Sequence, residues 1–236
     1  MGAPHGDGTQ LLLYGRRRGR ALRKGQQRLI AARLPQLRFD IPPSGTILAR
    51  ALFAYPVAGV WLELGFGGGE HLAAQAEANP TLGLIGAEVF ENGIAKLVRK
   101  IERHALSNIR IFADDARALV AALAPASIAR VFILFPDPWP KERHKKRRLL
   151  SRALLDDLAR AMEDNGELRL ATDDVDYARA MLERALGHAD FRWLAARARD
   201  WRERTADWPP TRYEEKALAQ GRQPVYLRFA RRARSA

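Results

Sequence analysis

After Pro56, short apolar runs alternate five times with amphipathic stretches, and no other feature of the chain limits its fold as tightly. The runs at 60–64, 82–87, 109–112, 128–135 and 167–171 have the length and composition of buried strands. Helical periodicity is present at 70–79, 91–106, 116–123, 148–162 and 174–187. Such alternation predicts an α/β fold: a doubly wound, mostly parallel sheet with helices on both faces and right-handed connections. Ligands of these folds bind beyond the carboxyl ends of the strands. Two further runs, 191–194 and 225–229, add strands and bring the expected total to seven. There are no internal repeats.

Residues 46–236 are expected to form one catalytic domain with a basic C-terminal end, preceded by a basic arm at 1–45 that is flexible or partly helical. The formal charge is +13, and its placement is informative. From Met1 to Asp40 nine Lys or Arg face two acids, whereas residues 60–135 carry seven bases and eight acids. Two more basic clusters follow, Lys141 to Arg148 and Arg222 to Arg234, so the positive charge brackets a neutral middle. That pattern suits a polyanion such as RNA, whose counterions are released when basic groups replace them. The alternative is a solvated basic surface in an arginine-rich chain, with 33 Arg against 7 Lys. The absence of cysteine excludes disulfides, thiolate metal sites and cysteine nucleophiles. The five histidines lack metal-ligand spacing and are assigned to surface or packing, so no metal is expected. No apolar run approaches bilayer length, and the Leu11 to Tyr14 run is too short for a signal peptide. A cytoplasmic location without membrane contact is the default, and nothing in the chain calls for an obligatory protein partner.

The first strand leads into Glu63-Leu64-Gly65-Phe66-Gly67-Gly68-Gly69-Glu70, a turn where missing side chains admit a ligand to the backbone. A dinucleotide fingerprint would place glycine at position 70, but an acid stands there and would repel a pyrophosphate. The G-x-G-x-G spacing of Gly65, Gly67 and Gly69 behind Glu63 suits a phosphate-free, positively charged ligand, and S-adenosylmethionine has that character. Glu88, ending the second strand, is placed to accept from the ribose hydroxyls. Asp115, preferred to its neighbour Asp114, is placed at the adenine, although either aspartate can instead cap the following helix. The fourth strand breaks into Pro136-Asp137-Pro138-Trp139-Pro140, a stiff loop offering one acid and one aromatic. Trp139 can stack on a base or pack on the core.

These segments resemble the bacterial tRNA (guanine-N7-)-methyltransferase family. The resemblance rests on the glycine turn, Gly86 to Glu88, Phe135 to Lys141 running into Arg143 to Arg148, and Thr211-Arg212-Tyr213-Glu214. It spans about residues 56–229 and implies a class I methyltransferase fold. It further implies S-adenosylmethionine as cofactor, held by Glu63, Glu88, Asp115 and Asp137, with Asp137 also the catalytic position. Lys141, Asp173 and Thr211, Arg212, Tyr213 and Glu214 would contact the tRNA, and guanine 46 of the variable loop would be the target. Independently of the resemblance, Asp173 can cap the next helix and Thr211 with Glu214 has the spacing of a capping box. Two other functions remain open: a methyltransferase for an exocyclic amino nitrogen of RNA, and a non-catalytic RNA-binding protein of the same fold. The former commonly carries a second proline after the first, which Asp137-Pro138-Trp139 lacks.

Overall fold

The computed structural model describes residues 17–235. Its centre is β1 (Val60–Leu64), whose side chains are almost wholly buried because helices cover both faces of the sheet. On one side of β1 lie β2 (Gly83–Ala87) and β3 (Ile109–Phe112), and on the other β4 (Ile128–Leu134) and β5 (Met162–Thr172). The last two strands, β6 (Phe191–Trp193) and β7 (Val225–Arg231), complete the order β3-β2-β1-β4-β5-β7-β6. β1 to β5 are parallel, and β7 inserts antiparallel between β5 and β6. Strand order reverses between β1 and β4, and such a switch point opens a crevice at the carboxyl ends of the strands.

The connecting helices are α2 (Glu70–Ala78), α3 (Glu91–Arg103), α4 (Ala116–Ala122), α5 (Arg152–Ala161) and α6 (Val175–Leu186). α3 shows why this sequence makes these elements. Ile94, Leu97, Val98 and Ile101 recur at helical spacing and are buried, while Glu91 in the first turn and Lys100 and Arg103 in the last complement the helix dipole. Two short helices, α7 (Arg199–Arg202) and α8 (Arg212–Ala219), precede β7.

Two expectations change, and the one for the arm becomes specific. Part of the basic arm is ordered: α1 (Lys24–Leu37) is capped at Arg23 and Gln26 and packs on α3, with Leu37 buried and an Arg33–Glu102 ion pair at 2.7 Å. The arm before residue 17 lies outside the described residues. The helix expected from residue 148 starts only at Arg152, behind the cap Ser151, because Glu142–Arg147 winds into a 3₁₀ turn and Arg148 folds back onto the Pro138 carbonyl and Asp176. β5 begins five residues early, since Asn165, in the left-handed region at φ 63°, and a register shift opposite Ile128 and Arg130 absorb the extra length. Among the described residues no helix is long and apolar enough to cross a membrane.

Candidate active site

A cavity of about 370 Å³ opens at the switch point, walled by the carboxyl ends of β1, β2, β3 and β4. Its floor is the glycine turn. Gly65, Gly67 and Gly69 have φ of 74°, 55° and 68°, the left-handed region where a Cβ is penalised. A Cβ on Gly65 would meet nothing within 4 Å, so this turn presents bare backbone to the cavity. Gly69 is the N-cap of α2, and a Cβ there would collide with Leu97 at 2.7 Å; it serves helix packing and does not line the cavity.

Glu88 lies deep in the wall. Its Oε2 accepts from the Gly67 N–H at 2.8 Å, and its Oε1 accepts from Val89 at 2.8 Å and Phe90 at 3.0 Å. Burial raises its pKa above the ordinary value, and the nearby charge of Asp137 adds to that, against the lowering effect of the three backbone donors. Glu88 and Asp137 thus face one cavity without an ion-pair partner among the described residues, and a cation bound there would offset the repulsion between them. The three arginines that also line it have partners: Arg117 grips Asp115 at 2.6 Å, Arg148 pairs with Asp176, and the Arg147 guanidinium lies 5.0 Å from the centre of the Trp139 ring.

Asp115 lines the cavity while capping α4 through the Arg117 N–H at 2.9 Å, so the cap and a place in the cavity wall fall on one side chain. Asp114 also lines the cavity but pairs with Arg17 of the arm at 3.2 Å. Asp137 is exposed on the wall and forms no hydrogen bond or ion pair with any described residue. The loop that holds it contains two non-glycine residues at positive φ, Phe135 at 50° and Trp139 at 45°. Each costs about 1–3 kcal/mol, strain of the kind that collects at functional sites. Trp139 lines the cavity, half-buried between Arg147 and an edge contact from His144 at 5.8 Å, so neither its packing nor its availability excludes the other.

Glu63 stands apart from this group. It does not line the cavity; it is buried behind the turn, where Oε2 meets His71 Nδ1 at 2.7 Å. Neither does Asp173, which pairs with Arg222 at 3.1 Å; the cap of α6 is its neighbour Asp174, through the Tyr177 N–H at 2.7 Å. Lys141 is exposed at the start of the 3₁₀ turn. Thr211 caps α8 by accepting from the Glu214 N–H at 3.1 Å, but only half of the capping box forms, because the Glu214 carboxylate is buried against Arg204 at 2.6 Å. Arg212 is exposed with its guanidinium 5.4 Å from the Tyr213 ring centre. Tyr213 reaches the cavity and lies over Gly67, where a Cβ would stand 3.1 Å from its ring. Of the late motif, Tyr213 and Arg212 point outward, and Thr211 and Glu214 shape the segment from within. The partnership of His71 with Glu63 escapes a motif reading; its signal is polar His71 and Gln75 on the inward face of α2. Among the described residues no group of His, Cys, Asp or Glu has metal-binding geometry.

Sheet order, antiparallel β7 and a glycine-turn cavity at the switch point define a class I methyltransferase fold. Solved structures share it: TrmN from Thermus thermophilus superposes with a TM-score of 0.54 at 18% identity, over 87% of this chain and 48% of that one. An rRNA methylase from Streptococcus thermophilus gives 0.51 at 14% identity, over 74% and 87%. Residues 58–227 match the family described as "Putative methyltransferase". A tRNA (guanine-N(7)-)-methyltransferase of Rhodospirillum rubrum is 50% identical over 94% of this chain and 89% of its own. One of Chelativorans sp. is 42% identical over 98% and 100%. The chain therefore belongs to the tRNA (guanine-N(7)-)-methyltransferase family.

Proposed function

We propose that the protein transfers a methyl group from S-adenosylmethionine to nitrogen 7 of guanine 46 in the variable loop of tRNA. The observation that carries the cofactor assignment is that the carboxylates of Glu88 and Asp137 share the cavity above a glycine turn with no ion-pair partner among the described residues. A ligand bearing a sulfonium and an ammonium fits that charge, and one bearing a pyrophosphate does not. Glu88, with acceptor capacity left beside its backbone bonds, would hold the ribose. Asp115 would hold the adenine edge, and Gly65 and Gly67 would let the ligand lie against the backbone. Glu63 keeps Oε1 without a hydrogen-bond partner among the described residues and would take the ammonium through the turn.

When bound, S-adenosylmethionine supplies a methyl group on positively charged sulfur, open to in-line attack by a lone pair. Guanine nitrogen 7 has such a lone pair and no proton to lose, so no general base is required. The remaining task is alignment, which can contribute up to about 7–11 kcal/mol. Asp137 would accept from the guanine's Watson–Crick donors and offset the positive charge that the ring acquires. Trp139 and Tyr213 flank the cavity as aromatic faces for an extruded base, a contact worth about 1–3 kcal/mol each. Lys141 and Arg212 would meet RNA phosphates, while Asp173, Thr211 and Glu214 hold the loops that present them. The names of the relatives support the base and the atom, and the basic margins support the RNA. Incubation with labelled S-adenosylmethionine and unmodified tRNA, followed by nucleoside analysis, tests the reading. Label in 7-methylguanosine is expected, lost when guanine 46 is replaced by adenine; label in another nucleoside would overturn the assignment.

A further inference from the structure

Beneath the glycine turn runs a buried polar chain of which the proposed reaction uses only Glu63. His71, whose side chain is 1% exposed, meets Glu63 Oε2 through Nδ1 at 2.7 Å and Gln75 Nε2 through its own Nε2 at 3.3 Å. Gln75 Nε2 also donates to the Asp207 carbonyl at 2.8 Å, and Gln75 Oε1 accepts from Asn79 at 3.3 Å. These partners set every direction in the chain. An amide nitrogen can only donate, so Gln75 Nε2 donates to His71 Nε2, and His71 Nδ1 faces Glu63. Each atom named thus has a partner.

Its far end is the segment that carries Tyr213. Asp207 is held there by its side chain as well, at 2.7 Å from Arg169, and Trp208 beside it is buried against Tyr226. Arg204 ties the segment to itself through the Trp208 carbonyl and Glu214, both at 2.6 Å. Pro209 and Pro210 then form a stiff spacer to Thr211. Tyr213 returns over Gly67, the residue whose N–H binds Glu88. A closed circuit results: glycine turn, His71, Gln75, Asp207, the proline pair, Tyr213, and the turn again. Buried polar chains of this kind shift as units, because a half-broken one leaves unsatisfied groups in a low dielectric.

We propose that His71 and Gln75 are positioning residues that link Glu63, buried behind the glycine turn, to the placement of residues 204–214 and hence of Tyr213. The proposal rests on the cofactor and tRNA assignment above. Occupation of the site then favours one placement of Tyr213, and cofactor and tRNA strengthen each other's binding by the same factor.

The test is the dissociation constant of S-adenosylhomocysteine, which cannot react, with and without saturating unmodified tRNA. The wild-type ratio is expected to be roughly 5-fold or more. His71→Asn keeps a donor toward Glu63 and removes the acceptor that Gln75 meets, and Gln75→Met removes the amide while keeping its length. Both are expected to bring the ratio to within about 2-fold of one, whereas a merely structural role would lower the thermal midpoint and leave the ratio intact. A wild-type ratio of one, or a ratio preserved in either folded variant, would overturn the relay; if one variant does not fold, the other decides. Absence of any binding of S-adenosylhomocysteine to the wild type would instead remove the cofactor assignment, and the relay with it.

Discussion

Asp137 is the polar side chain of the cavity wall with the fewest commitments, and this makes it the sharpest single-residue test. Glu88 and Asp115 are tied to backbone donors and to Arg117, whereas Asp137 stands between prolines without a partner among the described residues. Asp137→Asn keeps the shape and removes the charge. Turnover at saturating tRNA and cofactor is expected to fall about 100-fold, the scale for deleting one preorganised electrostatic contact to a transition state. Full turnover would end the assigned role. That Glu88, Asp115 and Asp137 line the cavity was legible in the sequence because each lies at or just beyond the carboxyl end of a strand, where this fold opens its crevice. Glu63 also ends a strand, yet its carboxylate turns inward to His71, and strand-end logic carries no information on side-chain direction.

The joint between α3 and the glycine turn shows how elements place the site. A Cβ on Gly93 would stand 2.1 Å from the Gly67 carbonyl oxygen, so the helix reaches the turn only because residue 93 has no side chain. Gly93→Ala is expected to cost about 1–3 kcal/mol, as overpacking against backbone does. It should also raise the KM for the cofactor; a denaturant titration and cofactor kinetics on the same preparation would check both, and an unchanged KM would separate the turn from the site. A second joint is electrostatic. Burial opposes ionisation of Glu167 and Asp207, but the guanidiniums of Arg169 and Arg130 around both, with Arg228 on Glu167 and the Thr205 hydroxyl on Asp207, hold both pKa values below their ordinary range. Such carboxylates bind their protons more weakly in the folded chain, so their stabilisation is complete above the ordinary carboxylate range and drains away as pH falls through the lowered values. The difference in thermal midpoint between wild type and Glu167→Gln should therefore narrow as pH drops below about 4. A constant gap would show that the charge on Glu167 is not what stabilises the joint. Long apolar strands and α3 announced themselves through periodicity, but α1 and the start of α5 did not. α1 is amphipathic only weakly and owes its order to packing on α3, while the run before α5 spends its arginines on tertiary partners.

At the scale of the whole molecule, a net charge of +13 is held largely outside the near-neutral stretch that supplies the cavity. On the proposed reading the arrangement separates two tasks: the carboxylate-walled cavity would attract a cationic ligand, and the basic margins a polyanion. The division was visible in the sequence as blocks of charge, although which cations stay free was not, because ion pairs across elements depend on the fold. Arg17, Arg33 and Arg148 are neutralised by Asp114, Glu102 and Asp176, so net charge overstates the number of groups available to phosphates. Lys141 is exposed at the cavity loop and has no ion pair among the described residues. Lys141→Ala should weaken tRNA binding to a similar degree for every tRNA species. It should also lower the slope of log Kd against log salt by about 1, the signature of one lost phosphate contact. Fluorescence titrations at several salt concentrations would measure that slope. An unchanged slope with weaker binding would instead mean that Lys141 orders the loop around Asp137 without touching phosphate, and Lys141→Gln would then restore most of the affinity.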